Sequence, residues 1–183
     1  MSNYIVDTLH LGEFTTESGE TIQDLKLRYE HVGYPGQPLV LVCHALTGNH
    51  LTYGTNDNPG WWREIIDGGY MPINDYQFLT FNVIGSPFGS SSKFNDKYFP
   101  NHLTLRDIVR ALEKGIAALG FNKIDILIGG SLGGMQALEF LYNQRFPVNK
   151  AVILAATEKT SSYSRAFNEI ARQAIHILSL IHI

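Results

Sequence analysis

Four short, nearly uninterrupted apolar runs organise the chain: Leu39–Cys43, Phe78–Ile84, Ile124–Ile128 and Ala151–Ala155. Runs of this length and character predict strands covered on both faces. Between them the apolar period changes from two to between three and four. After Thr104, residues Leu105, Ile108, Val109, Leu112, Ile116 and Leu119 recur at helical spacing, with Thr104 and Asp107 placed as a capping box and Gly120 as the stop. A second helix is predicted after Ser131, with Met135, Leu138, Phe140 and Leu141 available for packing, ending near Pro147. A third runs from about Ser161 to Ile175 with Phe167, Ile170, Ala171 and Ala174 on one side. Ahead of all these, Tyr4–His10 and Thr21–Val32 flank the turn cluster Glu17-Ser18-Gly19-Glu20 and read as an antiparallel pair. The whole predicts an α/β fold: a mostly parallel sheet with antiparallel N-terminal strands and helices on both faces.

Composition narrows the function classes. The 183 residues carry 14 Lys+Arg against 17 Asp+Glu, a net charge of −3, which argues against nucleic-acid binding and against a polybasic membrane anchor. With 44% hydrophobic and 17% charged residues the chain is of ordinary globular balance and long enough for one core. Cys43 is the single cysteine, so neither an internal disulfide nor a Cys-rich metal site is expected. Met1–Gly12 lacks a basic segment followed by an apolar one, and no apolar run approaches the ~18 residues of a membrane span. The expectation is a cytoplasmic chain in a reducing compartment, with no metal.

The chemistry concentrates in Ile128-Gly129-Gly130-Ser131-Leu132-Gly133-Gly134-Met135. Gly129-x-Ser131-x-Gly133 follows a predicted strand and opens a predicted helix, the setting of a nucleophile on a sharp strand-to-helix turn. Neighbours without bulky side chains are required there because the turn is sterically tight. The alternative is a glycine-rich turn in which Ser131 only caps a helix. A dinucleotide loop would need G-x-G-x-x-G, which these glycines do not match, and no phosphate-loop lysine follows. The second element is His44-Ala45-Leu46-Thr47-Gly48, directly after the first buried strand. Loops in that position lend one backbone N–H to a developing oxyanion, and the residue after the nucleophile lends the other, which nominates Leu46 and Leu132 through their main chain. Thr47 and Gly48 are candidate substrate contacts. His44 is read as bracing its loop, since a catalytic base in such sheets comes late in the chain; Cys43 reads as core.

Taken in order, His44-Ala45-Leu46-Thr47-Gly48, Pro59-Gly60-Trp61-Trp62, Asn82-Val83-Ile84-Gly85, Leu105-Arg106-Asp107, Gly129 through Leu138 and Phe167-Asn168-Glu169 resemble the homoserine O-acetyltransferases, acyltransferases of the α/β-hydrolase fold. The resemblance extends from about Ser18 to Ile175. It implies methionine biosynthesis and a ping-pong reaction: acetyl-CoA, a co-substrate and not a bound cofactor, acylates Ser131, and L-homoserine takes the acyl group. It also implies a homodimer in the full-length enzyme. Succinyl transfer to homoserine, acyl transfer to serine and simple ester hydrolysis remain alternatives. Trp61 and Trp62 match the family and equally suit packing.

The chain departs from that pattern after Ser131. A serine nucleophile needs a base and an acid, which in this fold follow it as Asp or Glu and then His. Only Glu139, Glu158, Glu169, His176 and His182 are available. Glu139 is expected to be solvated, and Glu158 is the one acid near the sheet's carboxyl edge. The stretch 176–183 does not resemble the family's continuation and reads as a foreign tail. The loop Gly85-Ser86-Pro87-Phe88-Gly89 matches, whereas Ser90–Asn95 is less typical. The expected organisation is therefore an incomplete α/β-hydrolase fold: residues 1–156 from the core, 157–175 opening the cap helices, 176–183 an atypical tail. Without the acid and base the chain alone is expected to be catalytically crippled, and the strand over Ala151–Ala155 to present an open apolar edge.

Overall fold

The computed structural model describes residues 3–181. Eight strands and four helices follow one another as β1 (Asn3–His10), β2 (Phe14–Thr15), β3 (Thr21–Ile22), β4 (Lys26–Gly33), β5 (Leu39–Cys43), α1 (Arg63–Asp67), β6 (Gln77–Phe81), α2 (Leu105–Ala118), β7 (Ile124–Gly130), α3 (Leu132–Asn143), β8 (Val148–Leu154) and α4 (Ser162–Ile181). Six strands form one sheet in the order β1-β4-β6-β5-β7-β8. β1 and β4 pair antiparallel from Asn3↔Gly33 to His10↔Lys26, β4 is also antiparallel to β6, and the pairs β6–β5, β5–β7 and β7–β8 are parallel.

The apolar alternation in the central strands sorts side chains onto two faces. Leu39, Leu41, Cys43, Leu79, Phe81 and Leu127 share one core with Val109, Leu112 and Ile116 of α2 and Ala137 and Phe140 of α3. Val40, Val42, Phe78 and Ile128 point the other way and pack with Ile66 of α1. Helices therefore lie on both faces, although the second is covered largely by the irregular segment around the short α1. The start of α2 is as expected: Thr104 Oγ1 accepts the Asp107 N–H and Asp107 Oδ2 accepts the Thr104 N–H, each at 3.1 Å. Gly120, at φ +83°, follows its last residues.

Two boundaries differ from the sequence reading. The turn Glu17–Glu20 does not connect the long antiparallel strands. It closes the separate hairpin β2–β3, and the strand expected from Thr21 begins at Lys26. The two-residue strands were hidden because tertiary packing of Phe14 and Ile22, both buried, holds the hairpin down rather than strand propensity. The third helix runs on through Ile175 to Ile181. The strand over Ala151–Ala155 does lie at the sheet's edge as part of β8, with Val152 and Leu154 42% and 49% exposed. Tyr163, Phe167 and Ile170 of α4 are exposed as well.

One packing detail reverses an ordinary rule. Exchanging glycine for alanine inside a helix normally gains about 1 kcal/mol. In α2, however, a Cβ on Gly115 would sit 2.8 Å from Phe81 Cε1 and 2.9 Å from Leu27 Cδ1, both side chains buried. Overpacking of about 1–3 kcal/mol outweighs the propensity gain. Gly115→Ala is expected to lower the unfolding free energy in urea by up to about 2 kcal/mol; an increase would show that α2 stands farther from the sheet.

Candidate active site

The register Cys43↔Gly129 sets the carboxyl ends of β5 and β7 side by side, and α3 starts directly after β7. The turn is tight enough to test by construction. A Cβ on Gly129 would lie 2.1 Å from the Gly133 carbonyl oxygen, and one on Gly133 would lie 2.0 Å from the Cys43 carbonyl oxygen. Both glycines are thus required by backbone approach, as G-x-S-x-G demands. Between them Ser131 takes φ 54°, ψ −120°, a conformation that costs a non-glycine residue of order 1–3 kcal/mol. Its N–H donates to the Leu154 carbonyl (3.0 Å) and its carbonyl accepts the Met135 N–H (3.1 Å), so both neighbouring elements pin the strained residue.

Ser131 occupies the N-cap position of α3, yet its side chain makes no capping hydrogen bond. That observation separates the two readings of the motif: a capping serine would spend its Oγ on the helix amides. Ser131 is also exposed rather than packed in the interior. Leu132 opens α3, and its amide precedes the first intrahelical bond, that of Met135 to Ser131. On the neighbouring loop, the Gly48 N–H donates to the Ala45 carbonyl (2.9 Å), closing a turn with Leu46 and Thr47 at its tip. Leu46 is 76% exposed, so its side chain adds nothing to the core and its candidate role rests on its main chain.

His44 is fully buried and held by both ring nitrogens. Nδ1 lies 2.7 Å from the Ala45 carbonyl oxygen and Nε2 accepts the Val83 N–H at 3.1 Å. A carbonyl only accepts and an amide N–H only donates, so the ring is neutral with its proton on Nδ1. Burial lowers its pKa, against the opposing pull of the Ala45 bond. His44 is a brace with no free nitrogen for a substrate proton. Cys43 is likewise core, its thiol pushed up to about 12 by burial. Beyond the turn, burial and the nearby Arg28 and His44 push buried His50 down to about 4.

The segment that follows is anchored by a residue that sequence reading passed over. Glu30, buried in β4, accepts the N–H groups of Thr52, Tyr53 and Gly54, each at 2.7 Å. Burial nevertheless raises its pKa, outweighing those bonds and one from Tyr4. Trp61, 42% exposed, donates its Nε1–H to the Asn49 carbonyl (3.1 Å), and Trp62 packs on the second core, so the tryptophan pair steadies this loop. The serines flagged as less typical are buried and structural: Ser90 Oγ accepts the Arg28 N–H (3.0 Å) and Ser91 Oγ the Lys26 N–H (2.9 Å).

The acids after Ser131 do not assemble a proton relay among the described residues. Glu139 was expected in solvent, but its side chain is only 15% exposed and pairs with Arg106 Nε at 2.8 Å. The pair borders a cleft of about 530 Å³ between α2, α3 and residues 157–160, lined by Leu105, Met135, Tyr142 and Glu158 among others. Glu169 pairs with Arg172 and Gln173 on α4. His176 is exposed on the same helix, and His182 lies outside the described residues. Among the described residues no group of three or more His, Cys, Asp or Glu could hold a metal ion.

The histidines generate a pH prediction. Both pKa values are depressed, so the folded chain binds fewer protons than the unfolded one below about pH 6.5, and stability present above that pH is lost as it falls. For His50 the loss extends to about pH 4 and amounts to at most about 3 kcal/mol. The excess stability of the parent over a His50→Asn variant in urea unfolding should shrink accordingly between pH 7 and pH 4. A gap that stays constant would place His50 in solvent.

Comparison with known proteins agrees with this geometry. Residues 38–179 match the alpha/beta hydrolase fold family. The chain is 37% identical over 174 residues to a homoserine O-acetyltransferase of Methanobrevibacter ruminantium, covering 86% of this chain and 35% of that protein. It is 39% identical over 180 residues to one of Geotalea uraniireducens, covering 89% of this chain and 48% of that protein. The crystal structure of homoserine O-acetyltransferase from Staphylococcus aureus superposes with a TM-score of 0.94 at 80% identity, covering 96% of this chain and 54% of that one. The chain thus spans between about a third and about half the length of the curated relatives it matches. With that family model matching residues 38–179, most of its length, the chain belongs to the α/β-hydrolase fold family.

Proposed function

We propose that this chain supplies the nucleophile-bearing half of a homoserine O-acetyltransferase. The observation that carries the reading is the uncapped, exposed hydroxyl of Ser131 on a strained turn, in a sequence similar to proteins of that name. Strain of this kind persists only where the surroundings enforce it, and it collects at functional sites.

The reaction has two displacements. Ser131 Oγ adds to the thioester carbonyl carbon of acetyl-CoA while its proton passes to a base, and the carbonyl electron pair moves onto oxygen. The amides of Leu46 and Leu132 receive that oxyanion, with the N-terminus of α3 adding its dipole. Collapse expels the CoA sulfur, which takes up the proton, and leaves an acetyl ester on Ser131. The hydroxyl of L-homoserine then adds to the ester carbon, gives its proton to the base and departs as the O-acetyl product, returning the proton to Ser131. Thr47 and Gly48, on the loop that carries Leu46, face the substrate side. The base and its orienting acid follow the nucleophile in chain order in this fold, so they belong to the part of the relatives that this chain does not span. No metal or bound cofactor enters this scheme.

In this proposal the enzyme works in the cytoplasm on small molecules and without nucleic acid, as a homodimer at the full length of its relatives. No described helix is long and apolar enough to cross a membrane, which is compatible with that setting.

Mass spectrometry tests the reading directly. In the chain extended to the length of its relatives, acetyl-CoA should leave one acetyl group on the peptide containing Ser131, discharged faster by L-homoserine than by water or L-serine. Ser131→Ala should abolish the label, and succinyl-CoA should charge the site more slowly. Equal discharge by water would make the protein an esterase. The 183-residue chain alone should acylate far more slowly, because loss of base and acid costs ~10⁶ in rate while an oxyanion site retains ~10³–10⁴ over water.

A further inference from the structure

Gln136 stands in the second turn of α3, fully buried in a helix otherwise read from its apolar residues. Its Nε2–H donates to the His44 carbonyl at 3.2 Å, while its Oε1 is buried with no partner. Half of a buried amide left unsatisfied is a cost that a methionine of similar shape would avoid. Apolar packing alone therefore does not account for a glutamine here.

Its location does. The His44 carbonyl is the last before the Ala45–Gly48 turn, and the imidazole of the same residue is already tied to that turn through Ala45 and to the end of β6 through Val83. On the other side, α3 approaches so closely that a Cβ on Gly133 would come within 3.0 Å of the His44 oxygen. Gln136 is a side-chain bond from the nucleophile helix to the loop of Leu46. We propose that Gln136 is a positioning residue, fixing the gap between the Leu46 and Leu132 amides so that both reach one oxygen. This rests on the acyl-transfer reading of Ser131, because only an oxyanion gives that gap a function.

The test uses Gln136→Met, which removes the donor at similar volume, and Gln136→Glu, which keeps the shape but sets a carboxyl group against the carbonyl. Two readouts are followed in the chain extended to the length of its relatives, where the serine has its base and acid. The first is amide hydrogen exchange at Gly48 and Val83, whose N–H groups bond within the braced loop, with Thr52, Tyr53 and Gly54 as controls held by Glu30. The second is the rate of Ser131 acylation by p-nitrophenyl acetate, with its KM, beside the unfolding free energy. Expected in Gln136→Met are exchange up to ~10-fold faster at Gly48 and Val83 with unchanged controls, and acylation ~10- to 100-fold slower at similar KM. The kinetic loss should exceed any change in global stability, and Gln136→Glu should repeat it.

Unchanged exchange and acylation would overturn the proposal, as would losses that only track global stability. If the parent takes no acyl group that Ser131→Ala removes, the nucleophile reading fails. The exchange arm still decides whether Gln136 holds the loop.

Discussion

The feature on which the site depends is the contact of α3's first turn with the end of β5. Two backbone segments meet there with no room for a side-chain carbon, the Gly133 position lying against the Cys43 carbonyl. This contact makes β7 reverse within one residue, and that reversal drives Ser131 into positive φ and leaves its hydroxyl outside the cap. The cost of order 1–3 kcal/mol is offset by the bonds of Ser131 to Leu154 and Met135 and by burial of Ala137 and Phe140 beneath the helix. A looser packing would let the serine relax to an ordinary cap, and the hydroxyl would be spent on the helix.

What the sequence made legible was whatever local chemistry decides. The capping box of α2, the stop at Gly120, the buried strand Leu39–Cys43 and the glycine pair around Ser131 each follow from steric or hydrogen-bonding rules confined to a few residues. The role of His44 was legible for a similar reason, because chain order excludes an early base. Features set by distant partners were not. Nothing local marks Glu30 as the acceptor for three amides more than twenty residues away, or turns Ser90 and Ser91 from polar loop residues into acceptors for the main chain of β4. Glu139 read as solvated because its helix pattern says nothing about Arg106 arriving from α2.

These distant partners share a task. The loop from Ala45 to Trp62 has almost no regular structure, yet it is fixed at intervals: His44 to Val83, Glu30 to the amides of 52–54, and Trp61 to Asn49. Each anchor joins a side chain to the main chain, so the loop backbone is held without a ladder of its own. For the proposed site, whose working group on this loop is the Leu46 amide, that matters more than fixing side chains, since an amide moves only when its peptide plane moves.

The chemistry of the fold thus divides along a physical line. In the proposed acyl transfer, presenting the hydroxyl and receiving the oxyanion use a strained serine, a helix N-terminus and a braced turn, all held by contacts among β5, β7, β8 and α3 and the segment after β6. Proton transfer needs an imidazole and a carboxylate aligned on the serine, and among the described residues the acids that follow it are engaged with arginines or exposed. The first requirement rests on backbone geometry and short-range packing, the second on side-chain pairs that the described residues do not assemble. β8 takes part in the first requirement from the sheet's edge: Val152 and Leu154 are exposed there, and the Leu154 carbonyl holds the Ser131 N–H.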